Sequence, residues 1–444
     1  MTIPNDISSC LAPHDANALP VATAQSIVRR WAERAATVER VATVERVALR
    51  AALDRVLAHD IVSPIDVPAH DNAAMDGYAF DGALLAQAAA ANAPALSLEL
   101  AGEARAGHPF EQPLGQGQCV RIMTGAPMPR GCDTVVPQEF VTLSDNGKRI
   151  AFDARSLAPG ANRRRAGEDL ARGRTALAAG RILRASDLGL VASLGMGEIA
   201  VRRRLRVAFF STGDELRSLG EPLEAGCVYD SNRYTLFAML ARLNVEALDL
   251  GVVRDEPAAL EAALRSAAQS ADVVLSSGGV SVGEADFTRR MLQSLGDVAF
   301  WQLAMRPGRP LAFGRIWPSG TREGGERPAL FFGLPGNPVA VMVTFYQFVR
   351  EALLLMSGAL VPPPLQFAAV CDKPIKKRPG RTEYLRGIAT RDADGTWRVA
   401  PTRSQGSGVL SSMSEANCFI VLAHDETDVD AGTRVEILPF EGLI

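Results

Sequence analysis

From Leu205 onward the chain alternates near-continuous apolar runs with helical patterns, and this alternation is the tightest constraint on its fold. The runs RVAFFSTGDEL, VEALDLGVVRDE and ADVVLSSGGVSVGEAD are too apolar for half-solvated strands, and each ends in a polar loop. Between them, YTLFAMLARLN and PAALEAALRSAAQS place apolar residues at helical spacing. Strands buried on both faces and separated by helices predict a parallel sheet covered by helices on both sides. The strand pair PLAFGRIW and ALFFGLPGN follows, split by the loop PSGTREGGER. The helix VAVMVTFYQFVREALLLMSG then closes a three-layer α/β domain over 205–360.

One core cannot organise all 444 residues, since single cores rarely exceed ~250–300 residues. Residues 1–20 read as a flexible polar tail. Residues 21–61 together with 166–204 read as a helical, linking domain: TAQSIVRRWAERAA is amphipathic, and RAALDRVLAHD and TALAAGRILRASDLGLVASLG look helical. The hexapeptide TVERVA occurs twice, at Thr37–Ala42 and Thr43–Ala48, a local duplication whose period fits no repeat fold. Residues 62–165 carry short β-rich runs between Gly and Pro turns, an inserted β-rich domain. After the stiff VPPP linker, 361–444 forms a C-terminal β domain.

Charge excludes some partners. Lys+Arg (47) nearly balances Asp+Glu (50), so nothing global argues for nucleic acid or membrane. The runs Arg163–Arg165 and Arg202–Arg204 lack interleaved aromatics and read as solvated surface, with Arg164, three residues before Gly167, as the exception. The six cysteines form no C-x-x-C pair, and scattered thiols without a leader-like N-terminus suggest a reducing, cytoplasmic setting. No run of ~18 apolar residues predicts a membrane span. His59, His70 and His108 are too dispersed for a metal site.

Ligands of an open parallel sheet bind beyond the carboxyl ends of its strands. There the sequence places Ser211-Thr212-Gly213-Asp214-Glu215, then Arg254-Asp255-Glu256, then Ser276 through Asp286. Ser277, Gly278, Gly279, Ser281 and Gly283 make a loop able to bring N–H and O–H donors to a phosphate. Two carboxylates ~5 Å apart repel by about 3 kcal/mol at an effective dielectric of 20. Glu215, Asp255 and Asp286 would therefore converge only around a cation, and oxygen ligands beside phosphates suit Mg2+. Taken singly, each acid could equally be a helix cap. Arg306-Pro307-Gly308-Arg309 sets two guanidinium groups on a turn, suited to an oxyanion. Pro335-Gly336-Asn337-Pro338 ends a strand and opens a helix, exposing an anion-attracting end.

These segments resemble the molybdopterin molybdenumtransferase family, the bacterial MoeA type and the E domain of gephyrin. The matching stretches are DVPAHDNAAMDGYAF, RIMTGAPMPRGCDTVVPQE, RRRAGEDL, STGDEL, CVYDSNRY, GVVRDEP, SSGGVSVGEADF, FWQLAMRPGRPLAFG, GLPGNPVAVMVTFYQFV, GRTEYLRG and SQGSGVLSSMSEAN. The resemblance implies a homodimer of four-domain chains that takes adenylyl-molybdopterin and molybdate to molybdenum cofactor and AMP, with Mg2+. By motif position it implies catalytic roles for Asp71, Thr124 and Asp169 on the smaller domains and for Glu215, Asp255 and Asp286 on the α/β domain, at a cleft between subunits. It further implies exchange with the molybdopterin adenylyltransferase and with molybdenum-enzyme chaperones. Where the family commonly shows Ser, this chain has Ala73, and Gln302, Arg306 and Arg309 stand where Lys is usual. These departures leave the choice between molybdate and tungstate open. The competing readings are a pyrophosphatase-like nucleotide hydrolase and a non-catalytic pterin or metal scaffold.

Overall fold

The structure, a computed structural model, describes residues 18–37, 43–279, 285–320 and 327–441, with 285–287 as backbone alone. Most of the expected N-terminal tail, most of the first TVERVA copy, Ser281 and Gly283 lie outside the described residues.

Helix α1 (Val21–Ala36) opens the described chain. Its apolar stripe, Ala24, Ile27, Val28, Trp31 and Ala32, is buried in one cluster with Phe345, Phe348 and Leu353. The helix expected to belong with the linking domain is thus docked on the α/β core. Arg315 stacks over the Trp31 ring at 4.2 Å and reaches Trp317 at 5.2 Å, fastening α1 to a strand of the sheet.

The linking region differs from its helical reading. Val44–Ala48 is a strand paired antiparallel with Glu198–Arg202. RAALDRVLAHD contributes only a 3-10 turn, Leu49–Ala51. Asp54 sits at φ 60°, a left-handed conformation that a right-handed helix cannot pass through. The second expected stretch keeps one α-helix, Ala185–Ser193. The inserted domain is the six-stranded sheet expected of a β-rich module. Its order runs Thr134–Pro137, Gly77–Phe80, Gln118–Ile122, Ala95–Ala104, Arg149–Asp153, Thr142–Ser144.

The α/β domain holds strands β1 (Arg206–Thr212), β2 (Glu246–Val253), β3 (Val273–Ser277), β4 (Gly296–Gln302), β5 (Pro310–Ile316) and β6 (Ala329–Leu334), ordered β2-β1-β3-β6-β5-β4. β2, β1, β3 and β6 pair in parallel, whereas β5 runs antiparallel to both neighbours. The expected parallel sheet is therefore mixed. The segment 303–309 between β4 and β5 is too short for a crossover, which needs about a dozen residues or more. Alternation along the strands feeds both faces: Phe209 and Leu275 enter one buried cluster, Phe210 and Val274 the other. Helices α2 (Ser231–Arg242), α3 (Pro257–Ser270) and α4 (Ala285–Leu295) cover the sheet. Helix α5 (Pro338–Thr344) continues through a π turn into Arg350–Met356. This last helix is long and apolar enough to cross a membrane, yet most of it is buried as a core element.

In the C-terminal domain, strand Thr382–Arg391 pairs with both Trp397–Pro401 and Cys418–Leu422, so the sheet closes into a barrel. Met305–Arg306 adds in parallel beside Thr382 and Glu383, stitching the barrel to the α/β domain at the arginine turn.

Candidate functional site

At the carboxyl rim of the sheet, two glycines permit close approach. A Cβ on Gly278, at φ +92°, would lie 2.4 Å from the Thr212 carbonyl, and one on Gly279 3.0 Å from the Thr212 methyl. The loop after β3 thus rests directly on the end of β1. Asn232 ties this rim together, donating to Ser277 Oγ (2.9 Å) and to the Gly336 carbonyl (2.6 Å). Asp230 caps α2 by accepting the Arg233 amide (3.1 Å), and the same oxygen accepts the Ser211 hydroxyl (3.0 Å). Asp230 is 2% exposed. Its second oxygen and Asn232 Oδ1 are buried with no hydrogen-bond partner among the described residues. Buried acceptors without donors are costly and mark where a ligand's donors or a cation belong. Neither residue was singled out by sequence reasoning, although both lie in CVYDSNRY; an Asp at a helix start reads first as a cap.

The described bonds of the rim acids join Asp255 to Thr212 and Asp214 and do not link it to Glu215. Thr212 donates its hydroxyl to Asp255, and the Asp255 amide approaches Asp214 Oδ1 at 3.4 Å. The Glu215 carboxylate folds over Gly213, 2.5 Å from where a Cβ there would lie. Asp286 opens α4, and its side chain is outside the described ones. Among the described residues no group of three or more His, Cys, Asp or Glu side chains is placed to hold a metal ion.

The second part of the site lies at the seam between the α/β domain and the barrel. Gly308, at φ +96°, lets the arginine turn sit on α5, since a Cβ there would fall 2.6 Å from Thr344 Oγ1. Arg306, Pro307, Lys376, Glu383, Arg386 and Gln405 line a cavity of about 250 Å3 at this seam. Arg386 is 1% exposed. Its Nε donates to Ser412 Oγ (3.2 Å), and its Nη2 to the carbonyls of Gly406 (3.2 Å) and Ser404 (3.5 Å). All its partners are neutral. Burial, and then the nearby Arg306 charge, pull its pKa down to about 10. Among the described residues Arg386 has no carboxylate partner, the Glu383 carboxylate of the same cavity being paired with Arg381, and a buried guanidinium so placed beside a second one and a cavity suits an anion. Arg386 was missed as a site residue. The available signal was its place two residues beyond Tyr384 on one strand, so that both share a face, and Tyr384 is buried.

Pro335, Gly336 and Asn337 open α5, whose end is less free than the sequence suggested: the Val339 amide donates to the Ser407 carbonyl at 3.0 Å. Arg309 is exposed.

The third part lies on the smaller domains. Asp71 accepts the Ala166 amide (2.8 Å) and pairs with Arg163 (3.5 Å), pinning the RRRAGED loop. Thr124 donates both its amide and its hydroxyl to Asp76 Oδ1, each at 2.7 Å. These bonds, the amide's first, hold the Asp76 carboxyl below its ordinary value. The Asp169 amide donates to the Val67 carbonyl (3.1 Å). Asp76, in the quoted DNAAMDGYAF stretch but not singled out, is therefore the acid that fixes Thr124. Among the described residues, Asp71, Asp76, Thr124 and Asp169 make no hydrogen bond or ion pair to the α/β domain.

Comparison with known proteins agrees with this layout. Residues 19–195 match the MoeA N-terminal region (domain I and II), 208–354 a probable molybdopterin binding domain, and 368–440 the MoeA C-terminal region (domain IV). The chain is 42% identical to the molybdopterin molybdenumtransferase of Haemophilus influenzae over 89% of its own length and 94% of the relative's. It is 36% identical to the Nostoc protein of that name, with 88% and 87% covered. The crystal structure of the molybdopterin biosynthesis moeA protein from Pyrococcus horikoshii superposes with a TM-score of 0.78 at 28% identity, covering 96% of this chain and 100% of that one. The chain belongs to the MoeA family of molybdopterin molybdenumtransferases.

Proposed function

We propose that this chain inserts molybdate into adenylyl-molybdopterin with release of AMP, using Mg2+, as a cytoplasmic homodimer. The observation that carries the reading is the seam cavity, where buried Arg386 and exposed Arg306 have no carboxylate partner among the described residues and the acid that lines it, Glu383, is paired with Arg381. Molybdate is a dianion of suitable size, and paired guanidinium groups bind such oxyanions with directed N–H donors. The nucleotide's phosphates belong at the rim beside Gly279, since the Thr212 hydroxyl is spent on Asp255, both Asn232 amide protons on Ser277 and Gly336, and the Gly278 amide on the Leu334 carbonyl. Asp230 and Asn232 bring buried acceptors for the nucleotide's own donors.

The rim's donor chemistry fits Mg2+. The Asp255 carboxylate accepts the Thr212 hydroxyl there, whereas Asp214 Oδ1 meets only the Asp255 backbone amide. Mg2+ commonly takes only one or two carboxylates beside substrate phosphates and water, so Asp255 with Glu215 of the same rim would hold it. When bound, it would neutralise phosphate charge and polarise the phosphoanhydride. Arg306 would steady negative charge on the departing phosphate, and Asp255 would orient the attacking water.

A second copy is proposed because one chain leaves Thr124 and Asp169 unconnected to the α/β rim, and because apolar side chains remain in water beside α2. Tyr229 is 43% exposed, Tyr234 45% and Phe237 52%; such a patch is the mark of a contact surface.

The test is to follow AMP from adenylyl-molybdopterin and Mg2+ with and without molybdate. Molybdate-dependent release supports the transferase. Equal release from unrelated nucleotide diphosphates would point to a hydrolase, and no release to a scaffold.

A further inference from the structure

The guanidinium of Arg386 is a rigid plane, so two fixed nitrogens determine where the third points. Nε is fixed by Ser412 Oγ at 3.2 Å and Nη2 by the carbonyls of Gly406 and Ser404. Nη1 makes no hydrogen bond within the described residues, which leaves its two N–H groups for whatever occupies the cavity that Arg386 lines. The carbonyl bonds alone do not hold the plane, because the Ser404 contact is long (3.5 Å) and both carbonyls act on the same nitrogen. The Nε anchor therefore sets the rotation.

Ser412 is suited to that task. It is 2% exposed, on the short helix Ser411–Glu415. Its hydroxyl proton is committed to the Val409 carbonyl at 2.6 Å, so its lone pairs face Arg386 as acceptor only. Gln405 adds a second restraint on the same strand, accepting the Arg386 amide (2.9 Å) and donating to the Arg386 carbonyl (2.9 Å). These bonds hold the backbone of Arg386, whereas the Ser412 bond holds its charged end.

We propose that Ser412 is a positioning residue of the oxyanion site: through Arg386 Nε it aims the free Nη1 donors at the bound molybdate. This rests on the reading of the seam cavity as the molybdate site. A role confined to the local turn is the alternative, since a serine hydroxyl on a carbonyl three residues back also occurs as a plain backbone contact.

The experiment is calorimetric titration of the full-length protein with molybdate alone, for wild type, Ser412→Ala and Ser412→Thr, with the melting temperature of each recorded. Steady-state KM values for molybdate and for adenylyl-molybdopterin accompany it. Ser412→Ala should raise the molybdate dissociation constant about tenfold, the scale of one lost hydrogen bond to a charged group. The increase should fall on the KM for molybdate and not on that for adenylyl-molybdopterin, and Ser412→Thr, which keeps the hydroxyl, should recover most of it. If Ser412→Ala does not fold, Ser412→Cys, close in volume but a poor acceptor, should show the same selective loss. Molybdate binding unchanged in a folded Ser412→Ala or Ser412→Cys protein, or both KM values rising together, would overturn the positioning role. Wild-type protein that binds no molybdate would instead overturn the reading of the cavity on which it depends.

Discussion

Two aspartates of one short motif carry different burdens. Asp71 spends its carboxylate on the Ala166 amide and Arg163, whereas Asp76 spends one oxygen on both donors of Thr124. Asp71→Ala should lower stability by about 1–2 kcal/mol through the orphaned loop amide, read as a melting shift. Asp76→Ala should likewise lower the melting temperature, since it also orphans a backbone amide, and in addition reduce AMP release at least tenfold, because Thr124 loses its fixed orientation. The pH dependence follows from the sign of the Asp76 shift. A carboxyl held below 3.8 contributes stability that is complete above 3.8 and is lost as pH falls through the lowered value. The melting difference between wild type and Asp76→Asn should thus be constant above about pH 5 and close in stronger acid. Sequence reading chose Asp71 over Asp76 because it saw spacing and motif but not which oxygen faces which donor. It passed over Arg386 because arginine on a β-rich stretch reads as surface charge until the barrel closes around it.

The rim and the α1 clamp are properties of whole elements. Gly278→Ala would force a Cβ to 2.4 Å from the Thr212 carbonyl at a φ that disfavours side chains. A loss of about 1–3 kcal/mol is expected, with nucleotide binding failing before the fold does; equilibrium denaturation and AMP binding read the two separately. Arg315→Ala should weaken the hold on α1 through Trp31 and lower the melting temperature by a few degrees, since cation–π contacts contribute about 0.5–2 kcal/mol. The α/β strands were legible because burial on both faces writes itself as unbroken apolar runs. The reversal of β5 was hidden in the connection before it, 303–309, whose length and not its residue types decides the direction. RAALDRVLAHD misled for a different reason. Its helical spacing is real, but strand pairing of Val44–Ala48 with Glu198–Arg202 and the left-handed Asp54 override local propensity.

At the scale of the molecule, Thr124 and Asp169 make no hydrogen bond or ion pair to the α/β rim among the described residues, and the proposed reaction therefore calls for a pair of chains. Phe237→Lys should break the exposed apolar contact beside α2, giving a monomer by sedimentation and loss of AMP release together. Mixed dimers of Asp76→Ala and Arg386→Ala chains should regain part of the activity that neither homodimer shows, because one composite site in each such dimer is intact. The domain content was readable from the order of the motifs, but the meeting of domains was not. The seam cavity is lined from the α/β turn at Arg306 and from barrel residues about 80 positions later, and the pairing of Met305–Arg306 with Thr382–Glu383 helps bring them together. The most direct test of that seam as the oxyanion site is a crystal soaked in tungstate and measured at the tungsten absorption edge. The account predicts an anomalous peak in the cavity within hydrogen-bonding distance of the Arg306 and Arg386 guanidinium groups. A peak elsewhere with the cavity empty, at a concentration that supports turnover, would contradict it.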